Sequence, residues 1–97
     1  MRIEWIIWKG QFIEKLRSKH GVSTMEVAEV LRSGAHFRKA ERGHVQGEDV
    51  FAGYGRTDAG RYLVVFFILK RQNEALVISS RDMTHSERRY YEKVKKG

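Results

Sequence analysis

A chain of 97 residues, 41% hydrophobic with five Phe, four Tyr and two Trp, is large enough for one packed core and too small for two. The absence of cysteine excludes disulfides, thiol nucleophiles and thiolate metal sites. Nineteen Lys and Arg against 12 Asp and Glu leave a net charge of +7, which attracts nucleic acid, an acidic protein or an anionic surface, unless the charge is simply scattered over a basic domain.

The chain starts with a short apolar run that contains Glu4 and lacks a cleavage motif, so no secretory signal and a cytoplasmic location are expected. Residues 3–8 read as a short strand, with Ile3, Trp5 and Ile7 on one face. A helix is predicted over 9–20, where Phe12, Ile13, Leu16 and His20 recur at helical spacing. Gly21 suits the position just past that helix, and Lys19 and His20 suit its last turn, where cations meet the helix dipole. Ser23-Thr24-Met25-Glu26 is a capping box, which starts a second helix that carries Val27, Val30 and Leu31 inward and stops at Gly34. So short a link makes the two helices a tight pair lying on a sheet.

Residues 35–40 are expected to form a strand, 41–43 a turn, and 44–48 a strand or an ordered loop. A further strand over 49–57 sets Val50, Ala52, Tyr54 and Arg56 opposite Phe51, Gly53, Gly55 and Thr57. Its two glycines on one face leave room for a neighbouring element or ligand to approach the backbone. Thr57-Asp58-Ala59-Gly60 supplies a turn into residues 62–69, an unbroken apolar run that is too short for a membrane span. That run is apolar on both faces, so it is the expected central strand of a sheet covered on both sides. A polar turn at 72–74 leads into a strand over 75–81 that should return antiparallel, changing from apolar to polar and ending at Arg81. A second capping box, Thr84-His85-Ser86-Glu87, opens a last helix reaching about Lys96. Its inward face is Glu87, Tyr90, Tyr91 and Val94, and its outer face carries Arg88, Arg89, Lys93, Lys95 and Lys96. There is no proline, repeat or linker. The expected fold is a single α+β domain over 1–97: strand, two-helix hairpin, three- to four-stranded antiparallel sheet, C-terminal helix.

Several blocks resemble the BrnT toxin family, a branch of the RelE-like ribonuclease toxins. They are Lys19-His20-Gly21-Val22-Ser23, Gly47-Glu48-Asp49, the stretch from Gly55-Arg56-Thr57-Asp58 to Val65, Ile78-Ser79-Ser80-Arg81-Asp82-Met83-Thr84, and Glu87-Arg88-Arg89-Tyr90-Tyr91. They occur in the family's order and span nearly the whole chain. One departure is Trp8-Lys9-Gly10-Gln11, where the family usually has an acidic Trp-Asp-x-x-Lys segment. The resemblance implies a RelE-like fold and the toxin of a type II toxin–antitoxin pair. It further implies metal-independent cleavage of RNA that blocks translation, acting on mRNA, free or ribosome-bound. It implies neutralisation by a cognate DNA-binding antitoxin of the ribbon-helix-helix type, in a hetero-oligomer, with no membrane partner.

Cleavage of that kind requires a deprotonated 2′-hydroxyl, a neutralised phosphate and a protonated leaving oxygen. With no Cys, no tight acidic cluster and four His lacking ligand spacing, no metal or other cofactor is expected. Arg81 is the first candidate to grip the phosphate, at a strand end beside a helix start, against an ordinary pairing with Glu87 or Asp82. Arg56 is a second phosphate ligand or a hairpin arginine paired with Asp58. His20 is the candidate for proton transfer, or else a packed or capping histidine. Tyr91 stacks on a base, donates a proton, or belongs to the core. Lys19, Arg61, Arg88 and Arg89 are candidate nucleic-acid contacts, although Lys19 and the helix cations equally suit a solvated face or an acidic antitoxin segment. His36, His44 and His85 have no partner visible in the sequence. The alternatives to an enzyme are a non-catalytic RNA- or protein-binding module of the same fold, and a purely structural basic subunit.

Overall fold

The apolar run becomes the middle strand of a five-stranded sheet. The computed structural model describes residues 1–41 and 48–96. Its elements are β1 (Trp5–Ile7), α1 (Gly10–His20), α2 (Thr24–Arg32), β2 (His36–Glu41), β3 (Val50–Arg56), β4 (Tyr62–Lys70), β5 (Glu74–Asp82) and α3 (His85–Lys96). Most of the expected turn at 41–43 and of the strand or loop at 44–48 falls outside the described residues.

The sheet order is β1-β5-β4-β3-β2, with β2 to β5 antiparallel as expected. The difference lies at the other edge. β1 pairs parallel to β5, Trp5 opposite Glu74 and Ile7 opposite Leu76, so the sheet is mixed and has five strands. The helical hairpin crosses one sheet face between β1 and β2, which carries the first strand to the far edge and fixes its direction. Of the six residues at 3–8, only Trp5 to Ile7 are strand-paired.

Most helix ends are set by their end groups. Gly21 adopts φ 60°, and its N–H donates to the Arg17 carbonyl. Ser23 and Glu26 form the complete reciprocal box on α2, Ser23 Oγ accepting from the Glu26 N–H at 3.1 Å and Glu26 Oε1 accepting from the Ser23 N–H at 3.0 Å. Thr84 and Glu87 do the same at the start of α3, at 3.2 and 2.8 Å. By contrast Lys9, at the start of α1, makes no side-chain capping bond, and the first turn of that helix holds no acid.

α1 and α2 cover one face of the sheet. There Leu16, Val22, Val27, Val30 and Leu31 pack on Leu63, Val65, Phe67 and Val77. The glycines of β3 lie beneath α2, as their shared face suggested. A Cβ on Gly55 would come within 3.0 Å of Val30 Cγ1, and one on Gly53 within 3.1 Å of the Phe37 ring. α3 covers the opposite face, where Ala52, Tyr54, Val64 and Tyr91 are buried with Tyr62, Phe66, Met83 and Tyr90 beside them.

A bulge in β5 makes this division possible. Phe66 faces Ser79 and Phe67 faces Val77, so Ile78 has no partner of its own. In an unbroken strand Val77 and Arg81 would share a face. The extra residue keeps Val77 in the aliphatic layer and turns Ser79 and Arg81 toward α3.

Candidate active site

Cross-strand register lines up one row on the α3 side: Arg81 on β5, Val64 on β4, Tyr54 on β3 and His36 on β2, each directly opposite the next. Arg38, two residues beyond His36, points to the same side. α3 lays Glu87 and Tyr90, three residues apart on one helix flank, over this row.

Arg81 makes a two-pronged ion pair with Glu87, Nη1 donating to Oε1 at 2.7 Å and Nη2 to Oε2 at 2.9 Å. Nη1 also donates to the Asp82 carbonyl at 3.1 Å. The Arg81 guanidinium holds the Glu87 carboxyl down to about 2, aided by the Thr84 cap, and Glu87 in turn raises the Arg81 pKa. Burial pushes the Tyr54 phenol up, and the Glu87 charge adds to that, while Arg38 and Arg81 oppose it.

At the other end of the row, His36 Nε2 lies 2.8 Å from the Tyr90 hydroxyl. When Nε2 is bare it accepts the phenolic hydrogen; when protonated it donates to the phenolic oxygen. Tyr90 stands edge-on to both His36 and Tyr54, at 5.5 and 5.6 Å, and the Arg38 guanidinium lies 5.0 Å from its ring. His36 and Tyr90 are half-buried and Arg38 is exposed. The row therefore holds a hydrogen-bonded histidine–tyrosine pair between two arginines, a combination suited to chemistry on an anion.

The residues singled out from sequence fall in four places. Arg81 belongs to the row. Arg56 stands apart from the row: it lies opposite Tyr62 at the end of β3, its guanidinium 4.6 Å from that ring, with a long bond of 3.5 Å to the Gly60 carbonyl. The alternative of a pairing between Arg56 and Asp58 is not formed. Arg88 reaches the same Tyr62 ring at 4.0 Å, and Arg89 is exposed on α3. Tyr91 is 5% exposed and packs edge-on against Tyr62, which places it in the core of the α3 layer.

Arg61, His20 and Lys19 lie with the α1–α2 layer. All five N–H groups of Arg61 find acceptors: Asp82 twice, Glu26, and the His20 and Gly21 carbonyls that end α1. These contacts, with the Ser23 bond acting first on Glu26, hold both carboxyls below their usual range. Arg61 is thus a clamp between the helical hairpin and the sheet end, and its geometry does not support a nucleic-acid contact. His20 is half-buried beside Asp82, away from the Arg81 row, and Lys19 is exposed. Among the described residues no group of three or more His, Asp or Glu could hold a metal ion, and no helix is long and apolar enough to cross a membrane.

Sequence reasoning passed over His36, Arg38, Tyr54 and Tyr90. The available signal was that His36 and Arg38 alternate with Phe37, a polar face on a strand that flanks the glycine-bearing one. Fifty-four residues separate His36 from Tyr90, and only the fold brings them together.

The family model described as ribonuclease toxin, BrnT, of type II toxin–antitoxin system matches residues 8–87. The 1.1 Å crystal structure of the Brucella abortus ribonuclease toxin, BrnT, is similar with a TM-score of 0.61 and 18% identity, covering 82% of this chain and 96% of that one. At that identity the likeness speaks for the fold. No curated protein matches. The matched span runs from the end of β1 into the first turn of α3 and takes in both helices and all four antiparallel strands, so the chain belongs to the BrnT family of ribonuclease toxins of type II toxin–antitoxin systems.

Proposed function

We propose that this toxin cleaves RNA without a metal on the α3 side of its sheet, with His36 and Tyr90 moving the proton and Arg38 and Arg81 neutralising the phosphate. The 2′-oxygen attacks phosphorus after losing its proton to water, and the bond from phosphorus to the 5′-oxygen breaks. Tyr90 protonates the departing oxygen and is refilled from protonated His36. A 2′,3′-cyclic phosphate and a 5′-hydroxyl result. The observation that carries this reading is the 2.8 Å contact between His36 and Tyr90 on the row that ends at Arg81. Membership of a type II toxin family supports a protein antitoxin, for which the ribbon-helix-helix type follows from the resemblance. The substrate class is mRNA, free or on the ribosome.

The engagement of Arg81 by Glu87 favours a second reading, a non-catalytic binding module, because it occupies one of the cations the chemistry needs. Expression of wild type, His36→Gln and Tyr90→Phe chains in bacteria, and assay of the purified proteins on RNA in excess chelator, separates the two. Cleavage by the wild type, falling about 100-fold or more in each variant with folding intact, supports the enzyme. Wild-type protein that binds RNA and never cuts it establishes the binding module. Undiminished cutting by the variants removes the His36–Tyr90 pair from the mechanism.

A further inference from the structure

The Arg56–Tyr62–Arg88 group lies on the other flank of α3 and takes no part in the proposed chemistry. Residues 87 and 90 of α3 face the His36 row, whereas 88, 91 and 92 face Tyr62. The Tyr62 hydroxyl is held by Glu92, which fixes the ring. Against it lie two guanidiniums, at 4.6 and 4.0 Å. Both arginines line a surface cavity of about 320 Å³ at the end of β3 and β4, with Tyr62, Arg61 and Asp82 among its walls.

The charge pattern there is uneven. Arg61 and Arg81 each have a carboxylate partner at 2.7–3.2 Å. Arg56 and Arg88 have none among the described residues, although two like charges gathered on one ring repel each other. The Asp82 carboxyl that also lines the cavity is bound to Arg61 and does not neutralise them. Two cations converging on one aromatic ring at the wall of a polar cavity form a receptor for a group that offers both negative charge and a flat face. Single-stranded nucleic acid has both, in its phosphates and its bases. Arg88 and Glu92 lie beyond residues 8–87, the span that the family model matches.

We infer that Arg56, Tyr62 and Arg88 form an RNA-binding subsite separate from the cleavage row, which holds a flanking phosphodiester and its base while α3 separates it from the scissile bond. The inference rests on RNA being the substrate and makes Arg56 and Arg88 positioning residues.

The test uses the full chain and a short, fluorescently labelled single-stranded oligoribonucleotide made with 2′-O-methyl sugars, which cannot be cleaved. Binding is followed by anisotropy over a range of salt concentrations. The double variant Arg56→Ala/Arg88→Ala is expected to bind roughly 30-fold more weakly, with the slope of log affinity against log salt shallower by about 0.7, for the one phosphate no longer neutralised. The Arg56→Lys/Arg88→Lys variant is expected to keep nearly the wild-type slope and still lose affinity, because an ammonium does not provide the planar stack. On cleavable RNA the alanine variant should be impaired through KM more than kcat. Wild-type affinity and slope in the alanine variant would overturn the proposal. So would unchanged RNA binding combined with a lost grip on a poly-glutamate peptide, which would assign the face to an acidic protein. Wild-type binding by the lysine variant would reduce the site to a charge patch and refute the stacking platform. Because the probe cannot be cut, the outcome does not depend on whether the His36–Tyr90 mechanism is right.

Discussion

The two faces of the sheet solve different problems with the same strands. Under α1 and α2 the layer is aliphatic: Leu63, Val65, Phe67, Val77, Leu16, Val27 and Val30 are all at or below 1% exposure. Its one large charged attachment, Arg61, sits at the rim with every donor engaged. Under α3 the layer is made of tyrosines with arginines around them, and only the centre, at Ala52, Val64, Tyr54 and Tyr91, is closed to water. The first face supplies stability through buried apolar area, and the second holds ionisable groups in fixed relation on the rigid support this gives. The comparison shows why a domain this small can carry a reactive surface: the burden of folding is placed almost wholly on one side.

The most severe way to break that division is to insert one alanine between Ser80 and Arg81. The added residue takes the place of Arg81 opposite Val64 and turns the arginine toward the aliphatic layer, and loss of the cooperative melt is the expected result, measured by circular dichroism. Phe67→Ala attacks the aliphatic face alone. Phe67 is fully buried, stacked on Phe51 at 6.0 Å and edge-on to Phe37 at 5.7 Å, so a loss of about 3–5 kcal/mol is expected in denaturant titration. A loss below about 1 kcal/mol would mean that this face is not the main source of stability.

On the α3 side the expected effects are smaller and depend on pH. The folded pKa of Glu87, about 2, lies below its ordinary value of 4.5, so its pairing stabilises the fold above pH 4.5 and that contribution is lost as pH falls toward 2. Since the pair is part-exposed and screened, the loss amounts to about 2 kcal/mol. Glu87→Gln should remove that dependence from stability measured across the window, and an undiminished acid slope would show that other carboxylates set it. Tyr91→Phe is the mildest change. Removing one hydroxyl from a ring that serves packing should shift stability by less than about 0.5 kcal/mol and leave RNA cleavage as in the wild type. A large fall in cleavage with stability unchanged would return Tyr91 to the chemistry.

How far the sequence revealed these features depended on the range of the interaction. The central strand was legible because eight apolar residues in a row need cover on both sides, and both capping boxes were legible because their partners are three residues apart. Gly53 and Gly55 announced a close approach, and α2 makes it. Arg81 emerged as a strand-end cation facing Glu87, but the bulge that aims it came from pairing between strands, which periodicity does not report. The parallel β1 edge was hidden for the same reason, since its partner lies about 70 residues away and the strand itself is only three residues long. His36, Tyr90 and the five-fold engagement of Arg61 are products of tertiary assembly. The basic composition was equally compatible with each arginine being buried in a clamp, locked to an acid or open to a ligand.

The row that joins Arg81, Tyr54, His36 and Tyr90 also has a consequence in time. It draws on both halves of the chain, so a growing polypeptide cannot complete it until Tyr90 has been made and has emerged. The parallel edge pairing of β1 with β5 delays closure of the sheet in the same way. The row is therefore absent from every shorter nascent chain and forms only once Tyr90 can reach His36.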